Sequence, residues 1–304
     1  MRQVLNDQIQ EKQFHQDGFI TLKLLNTNQL DQLQQTINEL NQSHIDQSIE
    51  ENSSYKLSYF NGDLEFKQKV FNTLSDFFQP TINQHLKNYK PLIINIFDKE
   101  PGKGEVTIHQ NWTFVDEEKF TSVSVWIPLV DVSRNNGTLE TVKGSHKVLC
   151  QHRSPSLPWV FDEINVVLKE KYLEPFVIKK GEAAIIDDGI LHWSSDNYSD
   201  HVRTAVQLIM IPEDATAIHY VNKGDHVDIY EVDPLFFMQY DMKNIPEGYN
   251  IIGEMELSLK KMNEKEFVDI VAQNDPTILE KYESKSKEQA PKKKIGFLEK
   301  VFGS

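Results

Sequence analysis

Apolar residues recur at helical spacing through the first third of the chain and at strand spacing beyond residue 92. The sequence therefore divides into a helical opening and a β-rich body. Leu30, Leu33, Ile37 and Leu40 stand three, four and three positions apart behind two possible N-cap residues, Asn26 and Thr27, a pattern that predicts an amphipathic helix. Leu64, Val70, Phe71, Leu74 and Phe78 form a second stripe, which Pro80 is expected to end. The eleven Gln among residues 1–50 look low-complexity, but periodic apolar positions between them read as solvated helix faces.

The body shows short β-type runs at residues 92–97, 105–114, 121–129, 176–179, 183–187 and 202–211. Pro101-Gly102-Lys103-Gly104, Asn135-Asn136-Gly137 and Lys180-Gly181 punctuate them, which suits a sandwich or jelly roll better than alternating βαβ units. Residues 262–279 predict a further helix broken near Pro276. We expect one domain over residues 1–280 and a flexible basic tail over 281–304, which holds seven Lys against three Glu. Its apolar Ile295, Phe297, Leu298, Val301 and Phe302 make docking to a partner or membrane the alternative role.

Charge narrows the function classes. The 32 Lys and Arg against 46 Asp and Glu leave a net charge of −14, which argues against a nucleic-acid surface. A small-molecule or peptide substrate, or a basic partner, is expected. The single cysteine, Cys150, forms no internal disulfide, the first residues lack the apolar run of a signal peptide, and no run of apolar residues is long enough to cross a membrane. A reducing, cytoplasmic setting is expected.

Ten histidines invite a search for a metal site. His15/Asp17, His44/Asp46 and His226/Asp228 have His-x-Asp spacing, and His109/Asn111 is a near miss. Only a pair on a strand sends both side chains to one face, and the run Val106 to Phe114 containing His109 and Asn111 meets that test. His44/Asp46 reads as a helix end, His226/Asp228 as a loop, and Asp17-Gly18 as a turn before a strand. Downstream, His192 and Ser194 share parity, and a hairpin is expected to return Arg203 beside His192, where its planar fork would hold a carboxylate. Two histidines on different strands with a third oxygen donor resemble the facial triad of non-haem Fe(II) oxygenases.

The chain resembles the phytanoyl-CoA dioxygenase family of Fe(II)/2-oxoglutarate-dependent oxygenases over residues 14–212. The resemblance lies in Phe14-x-x-Asp17-Gly18-Phe19-Ile20, His109-x-Asn111-Trp112, Trp126 to Val132, Asn136-Gly137-Thr138-Leu139, Gly144-Ser145-His146, and His192-x-Ser194 through Asn197 to Arg203. It implies a mainly β double-stranded β-helix (a jelly roll, cupin-like) with flanking helices. It also implies Fe(II) bound by His109, Asn111 and His192, and 2-oxoglutarate held by Arg203 with help from Ser194 and Asn95. His15/Asp17 and His146 become parts of motifs rather than ligands. Trp112, Trp193 and Trp159 are candidates to face substrate; Trp159 lies in the irregular stretch 146–173, a lid or a solvated loop. The expected reaction is hydroxylation of an unactivated C–H bond. Asn111 replaces the family's Asp and removes an anion from the metal site, so a non-catalytic member that binds a ligand or partner is the alternative.

Overall fold

The computed structural model describes residues 2–42, 55–148, 152–240, 245–257 and 260–288. The opening runs α1 (Gln8–Asp17), β1 (Phe19–Lys23), α2 (Thr27–Gln42), β2 (Lys56–Leu57) and α3 (Leu64–His85). The body follows with β3 (Tyr89–Lys99), β4 (Val106–His109), β5 (Val123–Pro128), β6 (Leu139–Thr141), α4 (Asn165–Lys171), β7 (Glu174–Pro175), β8 (Glu182–Asp187), β9 (His192–Ser194) and β10 (Arg203–Pro212). The chain continues through β11 (Ala217–Asn222), β12 (Val227–Val232), α5 (Pro234–Gln239), β13 (Ile251–Met255), α6 (Glu264–Val271) and α7 (Ile278–Glu288).

All four apolar positions of the α2 stripe are buried, so the Gln-rich segment is one solvated face of a packed helix. Asn26 is its cap: Asn26 Oδ1 accepts from Gln29 N at 3.0 Å while Gln29 Oε1 accepts from Asn26 N at 3.0 Å. Pro80 does not end α3. It removes one ladder bond at a cost of ~3 kcal/mol, but Phe78, Thr81 and Ile82 are all buried around it. Each buried large apolar side chain returns roughly 1.5–3 kcal/mol, so packing holds the last turn in place.

A six-stranded sheet, ordered β1-β8-β5-β10-β3-β2, faces a four-stranded sheet, β4-β9-β6-β7, and together they form the jelly roll. Strand alternation sorts the large sheet. Ile94, Ile96, Val125, Ile127, Val206 and Leu208 pack outward in one core with residues of α1, α2 and α3. Asn95, Phe97, Trp126, Arg203 and Ala205 occupy the opposite face. There Trp126, Ala184, Ile186 and Ala205 cluster with Leu139 of the small sheet.

Several expected elements differ. The strand expected over 105–114 ends at His109, because Gln110 to Phe114 form no ladder. The stretch 176–179 contributes only a bridge, Val132 with Ile178, and the paired strand beside it is β7. The loop expected at His226/Asp228 holds only for His226, which lies in the turn between β11 and β12; Asp228 is in β12, which begins at Val227 and pairs on both sides, with β11 and β13. Of the stretch 146–173, the described part from residue 152 on is packed rather than solvated, since Phe161, Ile164, Leu168 and Tyr172 are buried with Phe267 and Val271 of α6. The last helix begins at Ile278, so the tail boundary expected at 280/281 falls inside α7, and residues 289–304 lie outside the described residues.

Phe267 tests whether this C-terminal segment belongs to the fold. It is fully buried against Phe161 and Tyr172, with ring centroids 5.8 and 6.1 Å away. Phe267→Ala should lower unfolding free energy by about 3–5 kcal/mol in a denaturant titration; a change under ~1 kcal/mol would make α6 an accessory.

Candidate active site

His109 ends β4 and His192 opens β9, and the two are direct cross-strand partners. The β4–β9 ladder shifts register between Val106 and His109, an irregularity of the kind that re-aims a side chain. The two imidazoles stand 4.1 Å apart between centroids at 52°. Each ring uses Nδ1 on a backbone carbonyl two residues back: His109 donates to Thr107 O at 2.7 Å and His192 to Ile190 O at 3.0 Å. That fixes the tautomer and leaves each Nε2 with its lone pair. Burial lowers both pKa values, and His192, with the charge of His109 adding to the effect, is pulled to about 3. Both rings are neutral at pH 7, the form a metal ion needs.

Asn111 does not share a strand face with His109, because the strand has already ended. It is placed by three other groups. Arg153, itself buried, donates from Nε to Asn111 O at 2.7 Å and grips Glu117 through Nη1 at 2.9 Å and Nη2 at 2.5 Å. The Asn111 carboxamide donates from Nδ2 to Ser124 Oγ at 2.9 Å and to Asp188 Oδ1 at 2.7 Å. Ser124 Oγ donates to the same Asp188 oxygen at 2.7 Å. Asp188 is fully buried and its Oδ2 has no hydrogen-bond partner. Burial raises its pKa to about 6, against the lowering effect of the bonds from Asn111 and Ser124. A buried carboxylate therefore does exist beside position 111, supplied by the turn that follows β8.

The hairpin expected between His192 and Arg203 does not form. β9 belongs to the small sheet and β10 to the large one, where Arg203 pairs with Lys99 of β3. Arg203 is 1% exposed, its guanidinium 5.0 Å from the Phe97 ring centroid and 5.4 Å from that of Trp126. Nε and Nη1 have no hydrogen-bond partner, and burial pulls its pKa down to about 9, which still leaves it charged at neutral pH. Asn95, two strand pairs along the same face, likewise holds a buried Oδ1 without a partner.

Lys99 was not anticipated. It is completely buried beside Arg203, and its Nζ donates to Ser194 Oγ and to Ser195 O, both at 2.6 Å. Lys99, rather than a hairpin, connects Ser194 to the Arg203 side of the barrel. Burial, then the neighbouring Arg203 charge, lower its pKa to about 7. Two glycines with positive φ make room for it: a Cβ on Gly104 would lie 2.7 Å from Lys99 Cγ, and one on Gly137 would lie 2.7 Å from Ser195 O and 3.1 Å from Lys99 Nζ. These glycines were visible as turn signals. What they enclose was not.

The other candidates are placed elsewhere. Trp193 alternates to the opposite face from His192 and Ser194, donating from Nε1 to Glu105 at 2.8 Å beneath the Lys169 ammonium. Trp159 packs edge-on to Phe161. Trp112 lies within an aromatic group of Phe114, His219, Phe237 and Tyr240. His15 contacts Glu11 at 2.8 Å, Asp17 meets Lys143 at 3.1 Å, and His146 Nε2 donates to His15 O at 3.2 Å, so the opening motif and the Gly-Ser-His loop hold each other. His44/Asp46 and Cys150 lie outside the described residues.

Two neutral imidazoles on neighbouring strands, in one jelly roll with a buried Arg–Lys pair whose guanidinium keeps two unpartnered donor atoms, offer donors that suit a divalent metal and a dicarboxylate. The chain belongs to the phytanoyl-CoA dioxygenase (PhyH) family, which residues 14–205 match. It is 31% identical over 132 residues to "Phytanoyl-CoA dioxygenase 1" of Oryza sativa subsp. japonica, covering 41% of this chain and 47% of that protein. It is 28% identical over 148 residues to "Phytanoyl-CoA dioxygenase domain-containing protein 1 homolog" of Dictyostelium discoideum, covering 46% and 49%. The matched region thus spans about half the length of these relatives. Among solved structures, the fold is similar to that of the non-heme alpha ketoglutarate dependent epimerase SnoN from nogalamycin biosynthesis, with a TM-score of 0.50 and 14% identity over 84% of this chain and 94% of that one. SnoN has also been solved in complex with Fe3+, alpha ketoglutarate and nogalamycin RO.

Proposed function

We propose that the chain is an Fe(II)/2-oxoglutarate-dependent oxygenase that hydroxylates a C–H bond of a small molecule or peptide. The observation that carries this reading is Arg203, a buried guanidinium with two unpartnered donors beside a second buried cation, in the same barrel as the His109/His192 pair. Like charges paired directly across two strands repel, so an anion between them is the natural complement. In this reading His109 and His192 offer Nε2 to the iron. Asn111, its amide nitrogen committed to Ser124 and Asp188, offers its oxygen. Arg203 and Lys99 hold the far carboxylate of 2-oxoglutarate, and Ser194 relays Lys99's hydrogen bond by donating its own hydrogen to that carboxylate. Phe97 and Trp126 keep water from the guanidinium, which strengthens the pairing. When bound, iron and 2-oxoglutarate supply the activation of O₂ and its coupling to decarboxylation.

With Fe(II), 2-oxoglutarate and O₂, purified protein should form succinate, and His192→Ala should form none. A non-catalytic binding role is the second reading, favoured by the neutral Asn111. It predicts 2-oxoglutarate binding in the presence of Mn(II) with no succinate under any substrate screen. No described helix is long and apolar enough to cross a membrane.

Lys99 offers a sharper check. Charge-assisted hydrogen bonds contribute ~1.5–3 kcal/mol, so Lys99→Met should weaken 2-oxoglutarate binding by roughly 10- to 150-fold. Lys99 is lowered to about 7, so it is charged below that pH and neutral above it. Affinity should fall as pH rises through neutrality in the wild type and stay flat in Lys99→Met. Parallel pH profiles would remove Lys99 from the site.

A further inference from the structure

The β11–β12 hairpin gathers a second group of metal-ligating side chains, unconnected with the jelly-roll site. His226 closes the turn that leads into β12, its Nε2 3.1 Å from Asp228 Oδ1 in the strand, and Glu254 of β13 is the direct cross-strand partner of Asp228. One nitrogen and one oxygen from each carboxylate lie within 4.8 Å of one another. Two carboxylates directly opposite on neighbouring strands repel, and a strand pair keeps such an arrangement only with compensation.

The buried member carries the argument. The Asp228 side chain is 5% exposed, and its Oδ1 accepts no hydrogen bond, although His226 Nε2 lies only 3.1 Å away. The contact is at ion-pair distance and is not a hydrogen bond. Each therefore keeps a lone-pair direction free for a third atom. Asp228 Oδ2 is separately occupied, 3.5 Å from Lys223 Nζ and 3.5 Å from Tyr230 Oη. On the far side of the ring, His226 Nδ1 contacts Asp225 Oδ1 at 2.7 Å. A carboxylate on Nδ1 sets Nε2 as the coordinating atom, the outer-shell arrangement that orients histidine ligands generally.

We propose that His226, Asp228 and Glu254 form a zinc site that ties the tip of the β11–β12 hairpin to β13. Donor chemistry selects the ion. Calcium and magnesium take oxygen ligands, and calcium six to eight of them, whereas one imidazole with two carboxylates suits a borderline divalent transition ion and leaves a position for water. Glu254 is exposed, so its side chain has the freedom to close onto an ion held by the other two. The role is structural: the ion replaces the cross-strand repulsion by a shared ligand and satisfies the orphaned Asp228 oxygen.

Equilibrium dialysis of the whole chain against Zn²⁺ at pH 7.5, followed by elemental analysis, tests this. Wild type should retain one more equivalent of zinc than the double variant His226→Gln/Glu254→Gln. The jelly-roll histidines hold whatever zinc they hold in both proteins, so the difference reads the hairpin alone. Zinc should also raise the melting temperature of wild type more than that of Glu254→Gln, a surface substitution that leaves the buried Asp228 in place. Equal zinc content in wild type and the double variant would overturn the site, as would an equal thermal shift in wild type and Glu254→Gln.

Discussion

Arg203→Met should bind 2-oxoglutarate at least 100-fold more weakly than wild type in calorimetry with Mn(II) present. Leaving a buried carboxylate without its cation costs about 3–5 kcal/mol, or roughly 150- to 5,000-fold in affinity. Methionine is chosen because it keeps an unbranched stem between Phe97 and Trp126, where the guanidinium now stacks. Stability should move the other way. Without ligand, Arg203 is a buried charge with two unpartnered donor atoms, and replacing it with an apolar group removes a desolvation cost that exceeds its contacts with the Phe97 and Trp126 rings and the attraction of Asp98. A higher melting temperature together with lost binding is the signature of an anion site. A variant that binds 2-oxoglutarate normally would place the co-substrate elsewhere, and one that simply unfolds would make Arg203 structural. Arg203→Lys should recover only part of the affinity, since an ammonium lacks the planar fork.

Asn111→Asp, which restores the residue the family resemblance leads one to expect, should at first destabilise the protein. The Asn111 carboxamide donates to Asp188 Oδ1 at 2.7 Å, and a carboxylate in its place would meet another carboxylate whose pKa burial has already raised to about 6. Two acids at that separation cannot both ionise at neutral pH. The expected loss is ~3 kcal/mol in the metal-free protein, in the range for breaking a buried charged contact. Divalent metal should recover it, because the ion neutralises the added charge, and so should Asp188→Asn, which moves the single negative charge from 188 to 111. Thermal unfolding of wild type, both single variants and the double variant, with and without Mn(II), measures the coupling directly. Additive effects of the two substitutions would mean that Asn111 and Asp188 do not act as a unit. If metal fails to rescue Asn111→Asp, position 111 does not face the ion.

Much of the architecture was legible because it depends on local periodicity. The α2 stripe, the principal strands and the glycine turns all follow from spacing and turn chemistry, and the jelly roll was anticipated both from short strands and from the motif resemblance. The failures share a cause. Pro80 reads as a stop because the local cost is visible and the compensating burial of Phe78 and Ile82 is not. His226 and Asp228 read together as a loop because Gly224 and Asp225 are local turn signals, yet only His226 is in that turn; Asp228 is in β12, between β11 and β13. The proposed hairpin from His192 to Arg203 rested on sequence distance alone and missed that the two residues belong to different sheets.

By itself, the sequence determined which positions of the α2 stripe are buried and which residues of the principal strands alternate, since side-chain type and the 2.0 and 3.6 periods are local properties; it did not show that β4 ends before Asn111. Only the tertiary structure decided which of those residues meet. His109 faces His192 because β4 pairs with β9, and Asn111 points where Arg153, Ser124 and Asp188 hold it. Lys99 joins the candidate site because register sets it beside Arg203 and two glycines let it through. Pairing between strands far apart in the chain is set by the global balance of burial and hydrogen bonding, which no local window contains. The charge of each buried group follows from that same packing, because desolvation acts on a side chain only once its neighbours have excluded water.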